Sequence, residues 1–146
     1  LGAGSLGSTI GGALAKAGNE VHFVGRAPHM NAINENGLVM VTPTGEETVR
    51  LSGHTTPDGI GPCDLVIVLC KAFDTAKTME EGRGLVGPNT TVMSLQNGLG
   101  AEDVLCDCVG AEHVIGGQSA ECCWSRAACR LPFLARIPLS ASLTAA

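Results

Sequence analysis

Gly2-Ala3-Gly4-Ser5-Leu6-Gly7 stands at the head of this chain, and after an Ala/Gly-rich stretch Val21-His22-Phe23-Val24-Gly25-Arg26 follows it. The first block is a Gly-x-Gly-x-x-Gly. In such a block the first glycine permits a tight strand-to-helix turn, the second lets backbone approach a pyrophosphate, and the third lets the helix pack close to a sheet. Leu6, Ile10 and Leu14 recur every four residues, the spacing of a helix that ends at Gly18-Asn19. The helix N-terminus directs its free N–H groups at the anion. A β-branched and aromatic strand over 21–24 then completes the first part of a βαβ unit.

The end of that second strand decides which nucleotide fits. A site for NAD places Asp or Glu about 20 residues after the glycines, on the ribose hydroxyls. Here Arg26 occupies the place of the carboxylate. A permanently charged guanidinium pairs bidentately with phosphate oxygens, so the expected cofactor is NADP(H). His29 lies close by in sequence and reads more simply as a solvated residue at a helix start.

Outward from this core the pattern alternates. A short helix is expected over 28–36 with Pro at its start, closed by Gly37. Residues 38–41 and 48–51 read as a hairpin around Pro43-Thr44-Gly45. Leu65-Val66-Ile67-Val68-Leu69-Cys70 is unbroken apolar, as a parallel strand covered on both faces should be. A helix over 75–82, a strand over 91–95, a helix over 101–109 and a strand over 113–115 follow. Strands alternating with helices predict an α/β fold, a Rossmann-type doubly wound, mostly parallel sheet. A lone Leu1 ahead of the glycines leaves its first strand truncated.

Composition narrows the function. The 146 residues carry a net charge of −5, no Tyr and no basic cluster, which argues against a nucleic-acid surface. No apolar run approaches the roughly 20 residues that span a bilayer, so no membrane partner is expected. The seven cysteines show no zinc spacing, Cys106, Cys108, Cys122, Cys123 and His113 included. Reduced thiols and a cytoplasmic location are the expectation, with no metal site.

Ligands in open α/β sheets lie beyond the carboxyl ends of the strands. Lys71 directly follows the strand at 65–70, and Gln96-Asn97-Gly98 follows that at 91–95. A Lys and an Asn converging from adjacent strand ends can orient a ribose and hold a substrate carbonyl for hydride transfer. Lys71 and Asn97 are therefore the catalytic candidates. Gln96 reads as support for the loop.

Taken in order, Gly-Ala-Gly-Ser-Leu-Gly, Val-Gly-Arg with Pro-His, Cys63-Asp64-Leu65-Val66-Ile67-Val68 leading into Cys70-Lys71-Ala72-Phe73-Asp74-Thr75, and Ser94-Leu95-Gln96-Asn97-Gly98-Leu99-Gly100 resemble the ketopantoate reductase (2-dehydropantoate 2-reductase) family over residues 1–117. The resemblance implies an NADPH-binding domain of an enzyme that reduces the keto acid 2-dehydropantoate to (R)-pantoate for pantothenate and coenzyme A synthesis. It implies that Gly2, Ala3, Gly4, Ser5, Leu6 and Gly7 hold the pyrophosphate and Arg26 the 2′-phosphate. Lys71 then meets the cofactor, and Asn97 meets cofactor and substrate. It leaves a homo-oligomer open. Two rivals are a nucleotide-binding module without catalysis and another Rossmann dehydrogenase of a 2- or 3-hydroxy acid.

Residues 118–146 read differently. Residues 1–121 hold 14 acids and 6 Lys+Arg, whereas 122–146 hold three Arg and no acid, Lys or His. The helical C-terminal domain that the resemblance implies, with its proton-donating Lys, has no counterpart here. The tail is expected to be disordered, and a reading-frame error near Gly117 accounts for it better than a genuine short variant.

Overall fold

A computed structural model of the chain describes residues 1–97 and 99–117, together with the backbone of residues 130–132. Helix α1 (Ser5–Lys16) follows the glycine block directly and gives way to strand β1 (His22–Val24). Helix α2 (Ala27–Asn36) has its proline in the first turn, where the missing N–H costs nothing. Strands β2 (Leu38–Thr42) and β3 (Gly45–Val49) form the expected hairpin in a tighter register, with Thr42 opposite Gly45 and Pro43-Thr44 as a two-residue loop. Strand β4 (Ser52–His54) follows, then β5 (Leu65–Val68), α3 (Thr75–Glu81), β6 (Thr91–Ser94), α4 (Ala101–Val109) and β7 (Val114–Gly116).

Pairing gives three sheets: β1 with β4, β5 with β6 and β7, and the β2–β3 hairpin extended by β8 (Arg130–Pro132). The first two consist entirely of parallel pairs. Residues 1–3 join them. The Leu1 amino group donates to Ile67 O at 2.7 Å, and Leu69 N–H donates back to Leu1 O at 2.9 Å. On the other side Gly2 and Ala3 N–H donate to Val24 O at 3.0 and 3.2 Å. The strand order is thus β4-β1-(residues 1–3)-β5-β6-β7, the doubly wound order with its central position held by three residues.

Two core clusters flank that position. Phe23, Met30, Ile33, Leu38 and Met40 pack α2 and the hairpin onto β1, while Val66, Val68, Met79, Leu85, Val92 and Leu105 pack α3 and α4 onto β5 and β6. Between β1 and β5 an open cavity of about 430 Å³ is lined by Ile10, Leu14, Phe23, Leu65 and Leu69, among others.

Four local features go beyond the sequence pattern. The Leu6, Ile10, Leu14 stripe of α1 is only half-buried, and Ile10 and Leu14 border the cavity; the helix instead buries its small residues Ser8, Thr9, Gly11 and Gly12. A Cβ on Gly11 would stand 2.1 Å from the Phe23 ring, so α1 sits closer to β1 than any larger side chain permits. Strand β5 ends at Val68 rather than residue 70, since Leu69 and Cys70 turn toward the glycine block. Ser52-Gly53-His54 has little strand character of its own and is made β4 by pairing with β1. Within the tail, residues 130–132 pair in parallel with β2 although no strand period marks them; residues 118–129 and 133–146 lie outside the described residues.

Candidate functional site

The glycine block folds as its spacing requires. Gly2 has φ +85°, and a Cβ there would lie 2.6 Å from Cys70 N; one on Gly7 would lie 2.8 Å from Gly2 O. Both positions are closed to any side chain. Gly4 differs, because a Cβ there would project into open space, with the nearest atom 4.0 Å away. It is the point where a ligand can approach the backbone. Gly4 caps α1 without a side-chain hydrogen bond, and no acid occupies the first turn. The N–H groups that open α1 therefore face outward with the positive end of the helix dipole behind them. The Ser5 hydroxyl is buried beneath them without a partner among the described residues. A cradle open at Gly4 and closed at Gly2 and Gly7 fits a dinucleotide pyrophosphate.

The second anchor stands beside it. Val24 O accepts from both Gly2 and Ala3, which draws the end of β1 against the glycine loop. Arg26 follows as the N-cap of α2, exposed and without an ion pair among the described residues. His29, one turn on, places Nε2 3.2 Å from Ser8 Oγ. Burial first, and then the Arg26 charge, lowers its pKa from the usual histidine value and so favours the neutral ring.

The third part lies at the ends of β5 and β6. The register Val68 opposite Ser94 puts Lys71 and Asn97 three residues beyond a matched pair. Both are exposed. Between them Gln96 is a clamp: its Nε2 donates to Cys70 O at 2.7 Å and to Thr75 Oγ1 at 2.9 Å, while Ser94 Oγ donates to its Oε1 at 3.4 Å. Thr75 and Ser94, both buried, escaped the sequence reading, because nothing in a single Thr or Ser marks a cross-strand partner. Gly98 lies outside the described residues. Phe73 and Leu99, 84% and 105% exposed, flank the same edge.

The site therefore has an anion cradle, a cation at the end of the neighbouring strand, and polar residues at the ends of two further strands. Among the described residues no cluster of three or more His, Cys, Asp or Glu is placed to hold a metal, and no helix is long and apolar enough to cross a membrane. Fold and site together define an α/β domain of the Rossmann type.

The sequence profile of ketopantoate reductase PanE/ApbA matches residues 1–134, and the chain belongs to that family of oxidoreductases. It is 38% identical over 117 residues to the 2-dehydropantoate 2-reductase of Pyrococcus abyssi, covering 80% of this chain and 37% of that protein. To the Streptococcus pyogenes enzyme of the same name it is 35% identical over 117 residues, covering 80% and 38%. The chain thus spans well under half the length of these relatives. The crystal structure of 2-dehydropantoate 2-reductase from Geobacter metallireducens superposes with a TM-score of 0.84 at 37% identity, over 93% of this chain and 45% of that one. D-mandelate dehydrogenase, solved with NADH and anilino(oxo)acetate, superposes with a TM-score of 0.82 at 27% identity, over 92% and 44%.

Proposed function

We propose that this chain is the dinucleotide-binding part of an NADPH-dependent reductase that converts 2-dehydropantoate to (R)-pantoate, a cytoplasmic step toward pantothenate and coenzyme A. The observation that carries the reading is the uncapped, acid-free N-terminus of α1 beside Arg26, which has no ion pair among the described residues. Gly2 to Gly7 hold the pyrophosphate, and Arg26 binds the 2′-phosphate that distinguishes NADP from NAD.

NADPH, when bound, supplies a hydride to the carbonyl carbon of the keto acid. Lys71 and Asn97 then act from the two strand ends: the Lys71 ammonium orients the cofactor, and the Asn97 amide holds cofactor and substrate together. Gln96 fixes the spacing of the two strand ends and acts as a positioning residue.

Calorimetric titration of Arg26→Ala tests the reading. The variant is expected to bind NADPH about 1.5–3 kcal/mol more weakly, the worth of a charge-assisted hydrogen bond, and NADH almost unchanged. Equal losses for the two nucleotides would remove Arg26 from the 2′-phosphate.

A further inference from the structure

His29 stands where two anion-directed features of the fold meet. It lies three residues after Arg26 in the first turn of α2, so the two side chains share one side of that turn, and its own N–H donates to Arg26 O at 3.0 Å. Its ring reaches across to α1, where Nε2 lies 3.2 Å from the hydroxyl of Ser8. Ser8 is buried, and its N–H donates to Gly4 O at 2.9 Å, so the contact ties the ring to the glycine loop itself. The imidazole is thus held against the first turns of α1, three residues along α2 from Arg26.

Its charge state sharpens the point. Burial acts on the ring first and the Arg26 charge, from its own element, second, and from α1 the ring meets the Ser8 hydroxyl. With nothing bound, burial and that charge disfavour the imidazolium. A phosphate monoester, which carries close to two negative charges above pH 7, reverses that balance when it settles on Arg26. It cancels the repulsion from the guanidinium and offers the ring an anionic acceptor.

On the reading of Arg26 as the 2′-phosphate ligand, we propose that His29 is a second, proton-linked ligand of that phosphate, which docks between the two side chains as the imidazolium forms. One proton passes from solvent to the ring, and the imidazolium N–H donates to a phosphate oxygen. No covalent bond changes. The consequence is a preference for the phosphorylated nucleotide that strengthens as the pH falls from about 8 to about 6.5.

Adenosine 2′,5′-bisphosphate and 5′-ADP are the probes, titrated calorimetrically into the 146-residue chain at pH 7.5 in HEPES and in Tris, whose ionisation enthalpies differ. Uptake of roughly half a proton or more with the 2′-phosphorylated probe, and none with 5′-ADP, is expected. Arg26 alone draws the phosphate toward its dianion and gives release, the opposite sign. His29→Gln keeps an amide able to reach Ser8 but cannot take up a proton. It is expected to lose the uptake and to bind the 2′-phosphorylated probe about tenfold more weakly at pH 6.5 and under about threefold more weakly at pH 8.5. Ser8→Ala removes the Ser8 hydroxyl and is expected to keep the uptake.

Absence of uptake in the wild-type chain, or uptake that persists in His29→Gln, overturns the proposal while leaving Arg26 in place. Loss of uptake in Ser8→Ala as complete as in His29→Gln overturns it too, since the imidazolium would then depend on the Ser8 hydroxyl rather than on the phosphate as its partner. If the wild-type chain binds the 2′-phosphorylated probe no better than 5′-ADP, and Arg26→Ala changes neither, the reading of Arg26 fails and the proposal falls with it.

Discussion

Placing four alternating Val and Ile residues ahead of Leu1 is expected to fill the cavity between β1 and β5 and to raise the melting temperature by about 15 °C. Alternate peptide groups of β1 face β4 and alternate groups of β5 face β6, so the others face the cavity: Val24 N–H and His22 O on one side, Ile67 N–H and Leu65 O on the other. Leu1 already fixes direction and register through Ile67 O and Leu69 N–H. Two added residues therefore meet four waiting backbone groups, and hydrogen bonds of about 1 kcal/mol each contribute about 4 kcal/mol. Burying four Val/Ile side chains against Ile10, Leu14, Phe23 and Leu65 contributes about 9 kcal/mol. Ordering four residues and their side chains costs about 9 kcal/mol. The remaining 4 kcal/mol or so, at about 4 °C per kcal/mol for a domain of this size, gives the shift.

A second readout comes from the amino group of Leu1. Burial lowers its pKa from 8.0 to about 6, with the Cys70 and Cys63 thiols opposing the change. The folded state then holds this proton less tightly than the unfolded one, so stability rises with pH between about 6 and 8 and is lost as the pH falls through that window. The amount is about 2–3 kcal/mol, and it disappears once the amine becomes a peptide N–H. Differential scanning calorimetry at pH 6 and pH 8.5 measures both effects, and a Gly/Ser extension of equal length separates them, since it removes the amine without filling the cavity. If the Val/Ile and Gly/Ser extensions melt together with the unextended chain at pH 8.5, the cavity is not a strand position and the reasoning fails.

Gln96→Leu keeps the bulk but strands Thr75 Oγ1 and Cys70 O, and is expected to lower stability by about 1–3 kcal/mol, read by urea denaturation. Gly11→Ala drives a methyl into the Phe23 ring and is expected to cost a similar amount, whereas Gly84→Ala, where nothing lies within 4 Å of the new methyl, should melt like the parent chain. The 146-residue chain mixed with NADPH and 2-dehydropantoate is expected to oxidise NADPH at least a hundredfold more slowly than a typical enzyme turning over about 10 times per second, because residues 122–146 contain no Lys or His to give the proton. Absorbance at 340 nm follows it, and a rate within tenfold of that figure would show that a residue such as Lys71 gives the proton.

How far the sequence could be read depended on where each signal was stored. Gly2 and Gly7 were legible because their requirement is local: a positive φ at one, and at both no room for a Cβ, which no other residue satisfies. Arg26 was legible because its position after a strand end follows from chain distance alone. The strand 65–68 showed as an apolar run, although only Val66 and Val68 are buried while Leu65 and Ile67 line the cavity. What stayed hidden was held by residues far apart in the chain. Ser52-Gly53-His54 becomes a strand only beside β1, the Gln96 clamp needs Cys70 and Thr75 from another segment, and His29 gains meaning only from Ser8 on a different helix. The packed side of α1 stayed hidden for a related reason. Four-residue spacing gives the period of the apolar side but not which side meets a close neighbour. Here the close neighbour is the Phe23 ring, which admits only glycine and small residues, so the larger side chains turn toward the open cavity.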